Sequence, residues 1–346
     1  MTQSDTKPAE STHNASRHMR HASDEPHGPT SGGGPAGDER VGSAQLEYDA
    51  PGELANVALD TEKQGGPRAT PANERQAHAA SKKSIPLYIG LATGFCGSFT
   101  SFSAFVRDLF LATSNDLTYP GAEDASLDRH SGYSFMAVVA VLVATLSLSI
   151  GGLHVGAHLA VALEPITPPL PYLVMRKLLD RLAVVLGWGC WLGAVLLCVW
   201  PPDRDGDGPE TWRGRATFSL VFAPLGCLTR FYASSYLNGR MASFPLGTFA
   251  VNVGGTAVLG MAWNLAHGGE GAVMGCQVLQ GIEDGFCGCL TTVSTWVVEL
   301  TALRRRHAYL YGASSVLVAY ALMVVVLGSA RWTLWLDGFP SLTCVH

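Results

Sequence analysis

Seven stretches of the chain are apolar enough and long enough to cross a membrane as helices, which takes about 20 residues each. All seven follow residue 84, and short polar segments separate them. They are 86–105, 133–163, 182–200, 216–237, 244–266, 276–303 and 308–328. The pattern predicts an all-α, multi-pass membrane protein with about seven transmembrane helices.

The stretches differ in composition. The second, third and seventh are nearly continuous runs of Leu, Val and Ala, whereas the first and sixth are rich in Gly, Ser and Thr. Small and hydroxyl-bearing residues are common where membrane helices pack against each other. We therefore expect the first and sixth helices to lie against protein rather than lipid.

The first 84 residues have a different character. They contain 9 Lys and Arg, 12 Asp and Glu and no cysteine. Too few apolar residues are present to offset the entropy of an ordered chain, so we predict a disordered hydrophilic tail, 1–84. No short apolar run follows Met1, so no signal peptide is predicted. The net charge of −5 is too small to indicate a nucleic-acid partner.

A twelve-residue motif occurs twice. GFCGSFTSFSAF at 94–105 returns as GFCGCLTTVSTW at 285–296, with six of the twelve positions identical. An acidic residue follows each copy at the same offset, Asp108 and then Glu299. A repeat of this kind indicates a duplicated architecture.

The two copies should cross the membrane in opposite directions. Five crossings separate them, and because five is odd, the copies form an inverted repeat, that is, an antiparallel helical bundle. The stretch 182–200 has no counterpart and inverts the second repeat. The predicted domains are a first channel repeat at 85–163, a linker with the inverting helix at 164–215, a second repeat at 216–328 and a C-terminal tail at 329–346.

The first repeat is shorter than the second. The second has two helices before its motif helix, whereas the first begins on its motif helix. We therefore expect that the first two helices of this repeat either were lost or precede Met1 in a longer gene, and we favour the second alternative. Lys and Arg are modestly enriched on the side of the N-terminal tail. This bias predicts a cytoplasmic tail and an external C-terminus in the plasma membrane.

The motif combines glycine with hydroxyl groups. The paired glycines of each copy permit close approach of two backbones, so we expect the helices to break and cross there; they are Gly94, Gly97, Gly285 and Gly288. Unwound carbonyls at membrane depth often hold a cation; the alternative is packing of small residues without an ion. Both copies then carry hydroxyls, which in lipid usually bond their own helix but can also line an anion path. They are Thr100, Ser101, Ser103, Thr291, Thr292, Ser294 and Thr295.

Further polar and aromatic residues lie within the apolar stretches. Asn252 needs a buried partner, either another helix or a passing anion. Phe102 and Phe105 share a helix face and can present positive ring edges to an anion, although core packing is the commoner reason for such a pair. Arg230 is costly in a membrane and indicates function or a structural anchor. Seven of the eight cysteines fall in the apolar stretches without paired CxxC motifs, and we interpret them as packing residues.

Four segments together resemble the fluoride channel family, which includes small bacterial dual-topology channels and fused exporters of fungi and plants. They are GFCGSFTSFSAF, GFCGCLTTVSTW, PLGTFAVNVGG and GCLTRF. The resemblance covers roughly 85–328, and the separate inverting helix resembles the fused eukaryotic form. It implies a fluoride-selective channel that is not an enzyme, lies in lipid and functions as a fused monomer.

The resemblance also implies roles for individual residues. Asn252 corresponds to the pore asparagine, and Phe102 and Phe105 to the paired pore phenylalanines. The second copy has Val293 and Trp296 at the phenylalanine positions, which implies that one of two ancestral pores conducts. The implied pore and fluoride-binding set also includes Ser103, Ser294, Thr295, Trp296, Arg230, Tyr311 and Ser315. Backbone carbonyls of Gly97, Thr100, Gly288 and Thr291 are implied to hold a structural Na⁺.

The interpretation is passive export of fluoride, which confers fluoride resistance. Hydroxyls, an amide and ring edges can replace the water around a small anion. An inside-negative potential drives an anion outward by about 2.3 kcal/mol per 100 mV. Two alternatives stay open: an inverted-repeat secondary transporter, with Asp108 or Glu299 as its carboxylate, and a non-conducting membrane scaffold.

Overall fold

Nine helices and no strands make up the part of the chain that the computed structural model describes. These residues are 85–117, 131–167, 171–201, 213–267 and 273–333. The predicted disordered tail, 1–84, lies outside them, as does most of the C-terminal tail. The all-α architecture predicted from the sequence is therefore confirmed.

Several helices contain a wider π-type turn, so their bounds are given in pieces. α1 consists of Pro86–Ile89, the π-type turn Gly90–Phe95 and Cys96–Ser98; α2 is Phe102–Ser114 and α3 is Ser131–Leu163. α4 joins Tyr172–Val174, Met175–Leu179 and Asp180–Val199, and α5 joins Arg213–Phe218 and Ser219–Leu237, before the short 3₁₀ turn Asn238–Arg240. α6 is Leu246–His267; α7 joins Val273–Gly281, Ile282–Cys287 and Gly288–Leu290; α8 is Val293–Ala302. α9 joins Arg305–Met323, Val324–Gly328 and Ser329–Thr333.

Six of the predicted crossings are long and apolar enough to span a membrane. They are Pro86–Ser114, Gly132–Leu163, Met175–Val199, Ala216–Arg240, Leu246–His267 and Arg305–Thr333. The sixth stretch, 276–303, is not among them, because it is divided between α7 and α8 and carries Glu283 and Asp284. It is therefore a broken pair of helices and not one apolar helix.

The first predicted crossing, 86–105, is too short. The helical segment continues to Ser114 and ends at Asn115, which adopts the left-handed conformation with φ 65°. Arg107 and Asp108 suggest an end to the span in the sequence. In the structure they pair with each other at 2.9 Å, and the Arg107 guanidinium lies 5.0 Å from the centre of the Trp263 ring. The helix therefore continues past two charged residues that are compensated by each other and by a ring of α6.

The second motif copy packs closely against two helices. It contacts the backbone of α5, and its Thr291 side chain contacts α6. A Cβ on Gly285 would lie 2.2 Å from the Ser219 carbonyl oxygen, and one on Gly226 would lie 2.3 Å from the Phe286 carbonyl oxygen. A Cβ on Gly255 of α6 would lie 2.3 Å from Thr291. Small residues at helix contacts permit this approach, so α5, α6 and α7 form a tightly packed group.

The first motif copy has no such cover among the described residues. A Cβ on Gly94, the counterpart of Gly285, would meet nothing within 4 Å. Phe95 and Phe99 are 64% and 81% exposed, whereas Leu290, the counterpart of Phe99, is 5% exposed. The two copies therefore share a sequence but differ in their surroundings.

Candidate functional site

Both motif helices are broken at the same position, and the breaks contact each other. The backbone amide of Ser103 donates to Thr291 Oγ1 at 3.1 Å, and the amide of Ser294 donates to Thr100 Oγ1 at 2.9 Å. Thr100 and Thr291 are counterparts in the repeat, as are Ser103 and Ser294. Each copy thus gives the other the same hydrogen bond. A two-fold relation between the copies would produce this reciprocity, and the inverted repeat stays a prediction.

A hydroxyl caps the helix that follows each break. Ser101 accepts from the Ala104 amide at 3.3 Å, and Thr292 accepts from the Thr295 amide at the same distance. A side-chain oxygen at this position satisfies one of the free amides at a helix start. The hydroxyl-rich half of the motif therefore restarts α2 and α8 directly beside the crossing.

Arg230 fills the space around Gly97. A Cβ on Gly97 would lie 2.8 Å from the guanidinium, which donates to the carbonyls of Thr93 and Gly94 at 2.9 and 3.2 Å. The side chain is buried and anchors α5 to α1. The structure thus places Arg230 at the crossing, while its predicted role in a pore stays a prediction.

Of the four glycines expected at close backbone contacts, Gly285 makes one, whereas Gly94, Gly97 and Gly288 make none among the described residues. A Cβ on Gly288 would have only the Glu283 carbonyl oxygen within 4 Å, at 3.9 Å, and Gly97 meets a side chain instead of a backbone. The tight backbone contacts are at Gly226 and Gly285. In the second copy, the motif glycine at a close backbone contact is therefore Gly285 and not Gly288.

Asn252 on α6 bonds the second break with both ends of its amide. Its Oδ1 accepts from the Thr292 amide at 2.9 Å, and its Nδ2 donates to the Thr292 carbonyl at 3.2 Å. The interhelical hydrogen bond that the sequence left as one alternative is thus present. Nδ2 carries two hydrogens, and this bond uses one of them. The second hydrogen is available to a further acceptor at a fully buried position.

Aromatic rings from both copies meet beyond the crossing. Phe102 packs edge-on against Phe105, with ring centres 5.7 Å apart, and against Trp296 at 5.4 Å. Trp296 is the counterpart of Phe105, so the cluster combines one position from each copy. All three rings belong to the buried core together with Tyr311.

A buried carboxylate joins α8, α9 and α6. Glu299 accepts from the Tyr311 hydroxyl at 2.7 Å and from the Thr248 hydroxyl at 2.6 Å. Asn238 reaches the same carboxylate at 3.4 Å and caps α6 by accepting from the Gly247 amide at 2.7 Å. The Glu299 side chain is held among polar groups in the interior. Its counterpart Asp108 instead pairs with its neighbour Arg107.

The comparisons with known proteins agree with these motifs. A family model described as CrcB-like protein, Camphor Resistance (CrcB), matches residues 217–330. A relative from Syntrophotalea carbinolica, named Fluoride-specific ion channel FluC, is 34% identical over 113 residues, which are 32% of this chain and 89% of the relative. The chain belongs to the CrcB-like fluoride channel family. This is a family of channels and not of enzymes.

Fungal members of the fluoride channel family match more of the chain. The relative from Neurospora crassa, named Fluoride export protein 1, is 64% identical over 282 residues, which are 80% of this chain and 53% of the relative. The relative of the same name from Candida albicans is 36% identical over 268 residues, 74% of this chain and 65% of the relative. The chain thus spans about half to two thirds of these relatives. No solved structure matches it.

Within this fluoride channel family member, the predicted site residues fall into three contiguous groups. Tyr311 and Ser315 lie at the carboxylate, where the Ser315 hydroxyl donates to the Tyr311 carbonyl at 2.7 Å. The aromatic group is Phe102, Phe105 and Trp296. The crossing group is Gly97, Thr100, Ser103, Arg230, Asn252, Gly288, Thr291, Ser294 and Thr295. Their roles in conduction stay predictions.

Two buried hydroxyls were missed by sequence reasoning. Thr248 and Thr256 lie four residues before and after Asn252 on α6, and all three are fully or almost fully buried. Residues four apart share a helix face. The spacing T-x-x-x-N-x-x-x-T in an apolar helix was therefore a usable signal, and it identifies one polar face of α6 within this channel family member.

The Tyr311 hydroxyl should contribute measurably to stability. Replacing Tyr311 with phenylalanine removes a donor to buried Glu299, and leaving a buried acceptor without its partner costs about 1–3 kcal/mol. We expect Tyr311→Phe to lower the midpoint of thermal unfolding in detergent. Tyr320→Phe is the matched control, because the Tyr320 hydroxyl bonds Thr113 at an exposed position. Equal midpoints for the two variants would contradict the role of the carboxylate cluster.

Proposed function

We propose that the chain forms a fluoride-selective channel that exports fluoride across the plasma membrane down its electrochemical gradient. One observation carries the proposal: the polar face of α6, formed by Thr248, Asn252 and Thr256, is buried in a membrane helix and continues into the Glu299 cluster. Burying polar groups is costly unless they are satisfied or used. The names of the relatives supply the identity of the ion.

The geometry supports stepwise dehydration of a small anion. The second Nδ2 hydrogen of Asn252 offers a donor in the interior. The Thr256 hydroxyl donates to the Asn252 carbonyl at 2.7 Å. Rotation about its C–O bond exchanges that carbonyl for an anion without moving the helix. Such donors replace water around an ion that binds weakly enough to leave again.

Flux through liposomes tests the proposal. The purified chain is reconstituted with internal potassium fluoride, valinomycin sets the voltage, and a fluoride electrode records efflux. We expect rapid fluoride efflux, slow chloride efflux, and fluoride-sensitive cells that recover when the chain is expressed. Efflux no faster than from empty liposomes, with the protein shown to be inserted, would favour the scaffold.

Coupled transport is a second candidate function because Glu299 is a buried carboxylate. A secondary transporter needs a buried carboxylate, and Glu299 is only 6% exposed. The two candidates differ in reversal potential. A fluoride channel reverses at the fluoride equilibrium potential, which shifts by about 59 mV per tenfold concentration ratio. A reversal potential that follows a proton or sodium gradient instead would favour the transporter.

We further propose that the crossing binds a structural Na⁺ through the carbonyls of Gly97, Thr100, Gly288 and Thr291. The Thr292 amide, which would bond Gly288 in a continuous helix, instead donates to Asn252. The break therefore frees uncharged oxygen ligands, which suit a hard cation. Arg230 beside Gly97 adds a positive charge that these carbonyls must offset. The ion would neutralise carbonyl dipoles and hold the breaks together.

Sodium should stabilise the protein if this proposal holds. A ligand that binds only the folded state adds stability by mass action, about 2.7 kcal/mol at 100 times its dissociation constant. We expect the midpoint of thermal unfolding to rise with sodium chloride relative to N-methylglucamine chloride at equal ionic strength. Thr100→Ser should keep this response, because the proposed ligand is a backbone oxygen. Identical midpoints in the two salts would rule out the site.

A further inference from the structure

Two thiols meet where α5 packs against the end of α7. Cys227 follows Gly226, whose added Cβ would lie 3.0 Å from the Leu290 amide nitrogen, and Cys289 directly precedes Leu290. The side chains of Cys227 and Cys289 lie near enough to interact with each other. Both are free thiols and partly exposed. The close backbone approach therefore places two cysteines from different helices beside each other.

The surroundings of this pair are polar and carry a positive charge. The Ser98 hydroxyl lies 3.3 Å from the Cys227 sulfur. Arg230, about one turn further along α5, lies within hydrogen-bond distance of the same hydroxyl at 3.4 Å and interacts electrostatically with both thiols. Its Nη1 has no hydrogen-bond partner among the described residues.

The other free cysteines lack this arrangement. Cys287 lies two residues before Cys289 but is fully buried, and no thiol is among the groups that act on it. Cys96 lies on α1, and Cys190 and Cys198 lie on α4, so none of the three is on either of the helices that meet at Gly226. The proximity of Cys227 and Cys289 is therefore specific to one place in the fold.

We propose that Cys227 and Cys289 are a redox-modifiable pair, which a membrane-permeant two-electron oxidant converts to a disulfide between α5 and α7. With a diazene such as diamide, one thiolate adds to a nitrogen of the N=N bond, and that adduct takes up a proton. The second thiolate attacks the bonded sulfur, the S–N bond breaks, and the hydrazine leaves with a second proton. The two thiols lose two electrons and two protons, and the diazene gains them.

The disulfide acts on the crossing because of its position. Cys289 lies two residues before Thr291, which accepts the hydrogen bond from the first copy. Oxidation would tie α5 to the residues just before the break and restrict separation of the two helices. It would also remove the thiol that contacts Ser98 of α1. The pair therefore links the oxidation state to the packing around the crossing.

Mass spectrometry of the full chain tests the proposal. Detergent-solubilised protein is treated with diamide, remaining thiols are blocked with N-ethylmaleimide, and the digest is analysed without reduction. We expect a peptide that links Cys227 to Cys289, two fewer maleimide adducts than in untreated protein, and reversal of both results by dithiothreitol. The treated protein should run as a monomer, because the linkage lies within one chain.

Variants separate this pair from general thiol oxidation. Diamide treatment should leave the number of maleimide adducts on Cys289→Ser unchanged. On Cys287→Ser, whose substitution is two residues away, it should lower that number by two, as in the unsubstituted chain. Absence of the linked peptide from the oxidised, unsubstituted chain overturns the proposal. Linkage of Cys227 or Cys289 to a different cysteine overturns it as well. The first readout needs no substitution, so a variant that fails to fold leaves the test intact.

Discussion

Replacing Gly285 with alanine should prevent correct assembly of the second repeat, whereas the same change at Gly94 should be harmless. The added methyl at Gly285 would lie 2.2 Å from the Ser219 carbonyl oxygen, and a backbone atom cannot move aside as a flexible side chain can. Overpacking typically costs about 1–3 kcal/mol and occasionally more, and we expect a value at or above the top of that range.

Gly94 is a matched control for this change, because it is the counterpart of Gly285 in the repeat. Its Cβ would meet nothing within 4 Å among the described residues. Alanine is favoured over glycine in a helix by about 1 kcal/mol, so Gly94→Ala should be neutral or stabilising. Size-exclusion chromatography in detergent measures both variants. If Gly285→Ala elutes as a single sharp peak with the yield of Gly94→Ala, the close contact of α5 and α7 is wrong.

Replacing Asn252 with aspartic acid should leave the protein folded and reduce fluoride flux to near background. A neutral aspartic acid can reproduce both bonds to Thr292, with one oxygen accepting from the amide and the O–H donating to the carbonyl. It then has no donor left, whereas asparagine keeps a second Nδ2 hydrogen. If the acid ionises, it adds a negative charge that repels an anion. The substitution should therefore lower fluoride flux without changing the elution profile in size-exclusion chromatography.

Asn264 provides the control on the same helix. It also donates from Nδ2 to a backbone carbonyl, that of Val326 at 2.7 Å, but lies about three turns further along α6. Asn264→Asp should keep most of the fluoride flux. The decisive measurement compares liposome efflux of the two variants at equal amounts of inserted protein. Full flux from Asn252→Asp would mean that this amide does not face the ion path, and the pore assignment would have to be withdrawn.

The helices could be predicted from the sequence because they depend on local composition. The residue at which the first crossing ends could not be predicted from the sequence. Arg107 and Asp108 look like the polar end of a span, and only the structure shows their mutual pairing and the contact of Arg107 with Trp263, 156 residues away. Compensation of charge by a distant ring leaves no local pattern in a single sequence.

The polar residues of the candidate site could be found from the sequence, but their partners could not. Asn252 is a single amide among apolar residues, so its burial was predictable. Its partner Thr292 lies 40 residues away. Thr248 and Glu299 were not assigned to the site, because their contact joins positions 51 residues apart. Likewise, the motif shows which residues are glycine but not which helix covers each of them.

The reciprocal hydrogen bonds at the crossing have a consequence for biosynthesis. The two bonds join residues 188 and 194 positions apart. At about 5–20 residues per second, the ribosome needs roughly 10–40 s to make the intervening chain. During that time the hydroxyls and free amides of the first break have no partner from the second copy. The nascent segment must therefore be shielded at the insertion machinery or lie in the polar headgroup region. Slower translation lengthens the time during which its polar groups have no partner from the second copy.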